Sequence, residues 1–336
     1  MSSLTPALVP SGHGTSLDVA SVRDHLASAA VLAGRALSAK TLDAYRADWS
    51  RFVDYCRRIG VDPNGLGDAL ARDVVALVVA HLGQLATGGK GAKASTLNRA
   101  AAGIRWGLAV ECGRTDEPTR DRAVRDVLRG ARRDPGRKST GARAVGLGDV
   151  AAMLSHVGSG PAGVRDRALI LCAFAGAFRR GELVALDVDH VADDGQTITL
   201  TIERSKTDQE GRGRFVVLHS GASEATCPVS ALRAWLEVRG CKAGPLFVAI
   251  DRHGCLRSGR LTAEGFRLVL ARAAAAAGVS DVKPHGLRAG HVTEARRRGA
   301  TAAQVRQVTG HVDERMISHY TRAIDAADNS ARHLGL

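Results

Sequence analysis

The chain holds only three tyrosines in 336 residues. Tyr45 and Tyr55 fall in a helical pattern, where Tyr45 fits an apolar stripe. Tyr320 lies in Gly310-His-Val-Asp-Glu-Arg-Met-Ile-Ser-His-Tyr-Thr321, a polar stretch with no evident reason to bury a phenol. His311 stands nine residues before it. Upstream, Pro284-His285-Gly286-Leu287-Arg288 sets an imidazole and a guanidinium three apart at an expected helix start, so the two share a face. Phe178-Arg179-Arg180-Gly181-Glu182-Leu183 opens another helix with an acid in its first turn, and Lys206 sits in the turn Arg204-Ser-Lys-Thr-Asp208. Each has an ordinary explanation alone, because such pairs arise by chance in any basic protein.

Together they supply what phosphoryl transfer needs. Two guanidiniums can grip nonbridging oxygens bidentately and balance charge in a pentavalent transition state. A tyrosine nucleophile, with a reference pKa of about 10, must lose its proton to a nearby base. A leaving 5′-oxygen needs a proton, which a mobile lysine can deliver. Such a set requires no metal, and the sequence offers no carboxylate cluster to hold one. No cofactor is expected.

The elements that must position these residues are mostly helical. Residues 1–37 open with Ser, Pro and Gly and contain one weak helical stretch around Leu17–Ala33, so a partly flexible extension is expected. From Ser38, Leu42, Tyr45, Trp49, Phe52 and Val53 recur at helical spacing. Helices at about Leu70–Leu85, Ser95–Cys112 and Thr119–Arg132 complete an all-helical unit over 38–131. The run from Arg129 to Arg143 carries six basic residues and one acid, broken by Pro and Gly, and predicts an interdomain linker over 132–144.

The second unit, 145–336, mixes element types. Helices are expected at Gly148–Val157, Gly163–Phe174, Arg180–Leu186, Pro228–Val238, Thr262–Ala277, His285–Arg298, Thr301–Thr309 and Glu314–Ala323. Thr197–Glu203 alternates as a strand, and Arg214–His219 follows as another. The polar turn between them makes a β-hairpin with Lys206 at its tip. The fold class is therefore mostly α with a small antiparallel β-sheet.

Composition narrows the partner. Lys and Arg total 47 against 34 acids, giving a net charge of +13. Such a balance calls for a polyanion, most simply nucleic acid. No apolar run reaches transmembrane length and no signal-peptide pattern opens the chain, which points to the cytoplasm and away from membranes. Six scattered cysteines lack any CxxC pair, as expected of thiols in a reducing compartment rather than zinc ligands.

The ordered set Arg-x-x-Glu-Leu, hairpin Lys, His-x-Leu-Arg, Gly-His, then Tyr nine residues on, resembles the tyrosine recombinase (phage integrase) family across Val145–Tyr320. The helical unit before it resembles that family's core-binding domain. The resemblance implies that Arg179 and Arg288 are the two catalytic arginines and that Glu182 supports the first. Arg179 is preferred to Arg180 because it keeps the Arg-x-x-Glu-Leu interval. Lys206, favoured over Arg204 and Lys242 by its place in the hairpin, corresponds to the general acid for the 5′-hydroxyl. His285 matches a histidine that assists proton movement, and His311 one that hydrogen-bonds the scissile phosphate. Tyr320 would form a 3′-phosphotyrosyl link that stores the phosphodiester energy without ATP. His291 and His319 are expected to be supporting or structural.

The implied activity is site-specific recombination or integration of DNA, with a mobile genetic element as one setting. The implied partners are double-stranded recombination sites and further copies of the chain, a dimer on each site and a tetramer in the synapse. A type IB topoisomerase shares the chemistry but needs no second duplex. A non-catalytic DNA-binding protein on the same fold would have no use for the full residue set, and an RNA-associated helical protein explains the charge but none of the spacings.

Overall fold

A computed structural model describes residues 37–89, 91–137, 142–203 and 213–310. The expected helices at Leu17–Ala33 and Glu314–Ala323 lie outside this range, as do Lys206, His311 and Tyr320. The chain divides into two compact units, residues 1–140 and 141–336.

The first unit packs four α-helices: α1 (Ala39–Arg58), α2 (Ala71–Thr87), α3 (Ala94–Val110) and α4 (Arg122–Arg133). Ser38 starts α1 because its hydroxyl accepts the Thr41 amide hydrogen bond that an uncapped helix leaves unmade. The buried face of α1 differs from the apolar stripe expected. It runs through Asp48, Phe52, Tyr55 and Cys56, while Val53 is half-buried. Asp48 can sit inside because Arg99 bonds it at 2.6 Å and Arg51 at 2.7 Å. The expected helix Thr119–Arg132 is instead a 3-10 turn, Pro118–Arg120, followed by α4. Asp121 separates them by capping the Ala123 amide at 2.7 Å. Because α4 runs to Arg133, the first residues of the basic run are helical, and after Asp134 a 3-10 turn spans Pro135–Arg137.

The second unit is built around α6 (Pro161–Ala175), in which every residue from Ala168 to Phe174 is buried. A helix apolar on all sides belongs in the centre of a fold. Here α8 (Pro228–Arg239) and α10 (Pro284–Arg297) pack against it. Around this axis lie α5 (Leu147–Ser155), α7 (Arg180–Ala185), α9 (Ala263–Ala276) and α11 (Ala302–Thr309).

Strands β1 (Val191–Asp193), β2 (Thr197–Ile202) and β3 (Arg214–His219) form an antiparallel sheet in that order. The β2–β3 register pairs Thr197 with His219 and Ile202 with Arg214. Alternation buries Ile198, Leu200 and Ile202 on β2, and Val216 and Leu218 on β3. A second two-stranded sheet, β4 (Val248–Ile250) with β5 (Leu256–Arg260), was not expected from the sequence. Every residue of β5 is exposed, so no alternation marks it. Among the described residues the fold is mostly helical with small antiparallel sheets, and no helix is long and apolar enough to cross a membrane.

Candidate active site

Arg179 occupies the N-cap position of α7, and Glu182 one turn on reaches back to it. Glu182 Oε2 accepts the Arg179 amide at 3.0 Å, and Oε1 accepts Arg179 Nη1 at 2.5 Å. The amide contact is the carboxylate half of a capping box, expected when an acid stands in the first turn. Arg180 points elsewhere, 3.9 Å from Glu264. The arginine held by Glu182 is therefore Arg179.

Glu182 is only 6% exposed. A third side chain explains how it stays charged there: Arg214, the first residue of β3, donates Nη2 to Glu182 Oε2 at 2.8 Å. Burial alone would raise the Glu182 carboxyl. The Arg179 hydrogen bond, the Arg214 charge and the Arg179 amide outweigh it and hold the carboxyl below its ordinary value. Sequence reasoning missed Arg214, although the signal was present. Alternation along β3 places residue 214 on the same inward face as Val216 and Leu218, so an arginine there must be buried and partnered.

Arg288 is 1% exposed. Its Nη1 donates to the Ala177 carbonyl and its Nη2 to the Thr309 carbonyl, both at 2.6 Å. Ala177 lies in the turn between α6 and α7 with φ of 47°. An L-residue in that left-handed region costs about 1–2 kcal/mol, and the turn delivers the carbonyl that Arg288 takes. Helix α10, which carries Arg288, is fixed by backbone contact: Val145 donates to the Gly286 carbonyl at 2.9 Å. A Cβ at Gly290 would lie 1.8 Å from the Val145 carbonyl oxygen, so only glycine permits this approach.

His285, one turn before Arg288, is exposed at the start of α10. Partial desolvation and then the positive charges of Arg288 and Arg179 lower its pKa. The neutral imidazole is thereby favoured, the form able to accept a proton. His291 packs edge-on against Phe174, with ring centroids 6.3 Å apart, and bonds the Phe174 carbonyl. Burial lowers its pKa first and foremost.

Helix α11 ends beside these groups. Arg214 Nη1 bonds the Val308 carbonyl while Arg288 takes that of Thr309. The chain leaves through Gly310 in the left-handed conformation, φ 62°, and its amide closes on the Arg306 carbonyl at 2.8 Å. His311 follows directly in sequence. The structure thus brings Arg179, Glu182 and Arg214 into one hydrogen-bonded group, with Arg288 bonded to the flanking turn and helix end. His285 senses two of its charges. Lys206, His311 and Tyr320 lie outside the described residues.

Comparison with known proteins places the chain in a family. The model of the phage integrase family matches residues 147–326. An integrase/recombinase XerD homolog from Selenomonas ruminantium is 30% identical over 285 residues, covering 83% of this chain and 80% of the relative. The tyrosine recombinase XerD of Mycobacterium leprae (strain TN) is 31% identical over 302 residues, covering 85% and 88%. In fold, the chain is similar to the XerH site-specific recombinase bound to a palindromic difH substrate, with TM-score 0.57, 18% identity and coverage of 85% and 78%. A lambda integrase dimer bound to a COC′ core site gives TM-score 0.53 at 17% identity, covering 90% and 76%. The chain belongs to the phage integrase (tyrosine recombinase) family.

Proposed function

We propose that this protein is a site-specific DNA recombinase that cuts and rejoins duplex DNA through a 3′-phosphotyrosyl intermediate on Tyr320. The observation that carries the reading is the anchoring of Arg179 and Arg288, each fixed by internal hydrogen bonds, around one helix end that runs into His311. Guanidiniums already locked in place stabilise a transition state without reorganising when charge develops.

In this scheme Tyr320 Oη attacks the scissile phosphorus and the bond to the 5′-oxygen breaks. The phenolic proton passes to a base, for which neutral His285 is suited, and Lys206 protonates the leaving 5′-oxygen. Arg179, Arg288 and His311 bind the nonbridging oxygens. Attack by another strand's 5′-hydroxyl reverses the chemistry, restores the phosphodiester and frees Tyr320. Exchange between two duplexes requires a dimer on each site and four copies in the synapse. The excess of basic residues supplies sequence-independent phosphate contacts, so affinity falls steeply with salt.

The test uses a nicked suicide duplex carrying a site selected from randomised DNA. The wild-type protein traps a covalent adduct at the 3′-phosphate, and Tyr320→Phe binds the same duplex but traps none. Adduct formation by Tyr320→Phe would sink the assignment. Strand exchange between two site-bearing duplexes separates a recombinase from an enzyme that only nicks and reseals.

A further inference from the structure

Arg214 has no assigned part in this chemistry, yet it makes bonds to two elements of the site. Its side chain is 15% exposed. Nη2 goes to Glu182 Oε2 at 2.8 Å and Nη1 to the Val308 carbonyl. Its guanidinium carbon stands 5.9 Å from the centroid of the Phe178 ring, next in sequence to Arg179. Its Cδ lies so near Gly310 that a Cβ there would come within 3.0 Å. These two bonds tie the guanidinium to Glu182 and to the last turn of α11, so Arg214 can act through both neighbours.

We infer that Arg214 is a positioning residue for strand cleavage, acting through Glu182 on Arg179 and through the last turn of α11 on the segment that begins at His311. The inference rests on the recombinase reading. Two consequences follow from the geometry. First, Glu182 bears one negative charge and faces two guanidiniums, so the group keeps a net positive charge for a phosphate. A single arginine on that carboxylate would be neutralised. Second, the carbonyls at a helix C-terminus lack intrahelical partners and carry partial negative charge. Arg214 and Arg288 take two successive ones, Val308 and Thr309, and thereby fix the point from which the chain continues.

Single-turnover cleavage of the nicked duplex at saturating protein tests this, with DNA affinity and thermal unfolding measured on the same samples. Arg214→Ala should cleave about 100-fold more slowly, the scale of a misplacement near 1 Å, while the dissociation constant stays unchanged. Arg214→Lys keeps the charge without the fork and should recover to within about tenfold of wild type. On a Glu182→Gln background, Arg214→Ala should cost clearly less than it does in the wild type, because the route through Glu182 is already broken and only that through Val308 remains. A wild-type rate in Arg214→Ala would overturn the inference. So would a loss that merely tracks weaker DNA binding or a smaller folded fraction, or one that is fully additive with Glu182→Gln. Absence of any adduct from the wild-type protein would overturn the recombinase reading and this inference with it.

Discussion

The Thr309 carbonyl accepts a hydrogen bond from Arg288 Nη2 at 2.6 Å, tying helix α10 to the end of α11. Arg288 also holds the Ala177 carbonyl across 111 positions of sequence. One buried cation therefore joins three parts of the second unit before any DNA is bound.

Replacing Arg288 should damage stability as well as chemistry. Arg288→Ala leaves two carbonyls without this donor, at about 1–3 kcal/mol each. We expect a loss of about 2–5 kcal/mol in urea unfolding. Arg288→Lys should remain destabilised, because one ammonium cannot reproduce a planar fork spanning both carbonyls. An unchanged unfolding midpoint in Arg288→Ala would show that these bonds contribute nothing.

Glu182 makes stability depend on acid pH. Its folded pKa is held below the ordinary value, chiefly by Arg179 and Arg214 acting against burial. The unfolded state then binds the proton more readily, so the contribution is complete above the unfolded value of about 4.3 and is lost as pH falls toward the lower folded value. Other carboxylates titrate in this range, so the difference between wild type and Glu182→Gln isolates it. That difference should shrink as pH falls below about 4.3. A difference independent of pH from 6 down to 3 would refute the pairing.

His81 gives the first unit a pH dependence of its own. It is 2% exposed, packed against the rings of Phe52 and Tyr55, and its Nδ1 has no hydrogen-bond partner. Desolvation first, then the charges of Arg58 and Arg51, push its pKa down to about 4. The unfolded chain takes up a proton near pH 6.5 that the folded one refuses, so stability falls between pH 6.5 and about 4, by about 3 kcal/mol in all. His81→Phe should remove that slope, as read from unfolding midpoints across the range. Retention of the full slope in the variant would place its origin elsewhere.

The imidazole of His285 should titrate below its ordinary value, owing to desolvation and then Arg288 and Arg179. Nuclear magnetic resonance of the ring protons, assigned with His285→Asn, reads this directly. Arg179→Gln removes one of the two charges and should move the midpoint upward. If the midpoint stays put, Arg179 is too distant to act on His285. In cleavage, the acid limb of the rate profile should likewise fall below pH 6.5 if His285 is the base.

Much of this architecture was legible from local pattern. The i, i+3 spacing of Arg179 and Glu182 is enough to bring an N-cap arginine and a first-turn acid together. The two strands flanking Lys206 alternate cleanly, and the described helices of the second unit begin within a few residues of where periodicity puts them. What escaped has physical causes. Asp48 reads as a solvent-side residue because its partner Arg99 is 51 positions away. Asp121 reads as helical until its side chain is seen to cap the next amide. Strand β5, Leu-Arg-Ser-Gly-Arg, has no buried face to betray it. Arg214 looked like the polar edge of a strand, because its two partners, Glu182 and Val308, come from elements 32 and 94 positions distant.

The left-handed conformation of Gly310 makes the arginine clamp sensitive to one backbone position. Before it, the final turn of α11 is clamped by Arg214 and Arg288 from different elements. At it stands a glycine whose φ of 62° strains any other residue and whose Cβ would come within 3.0 Å of Arg214 Cδ. A side chain at Gly310 would therefore press on Arg214 and, through it, on the Glu182 carboxylate that holds Arg179.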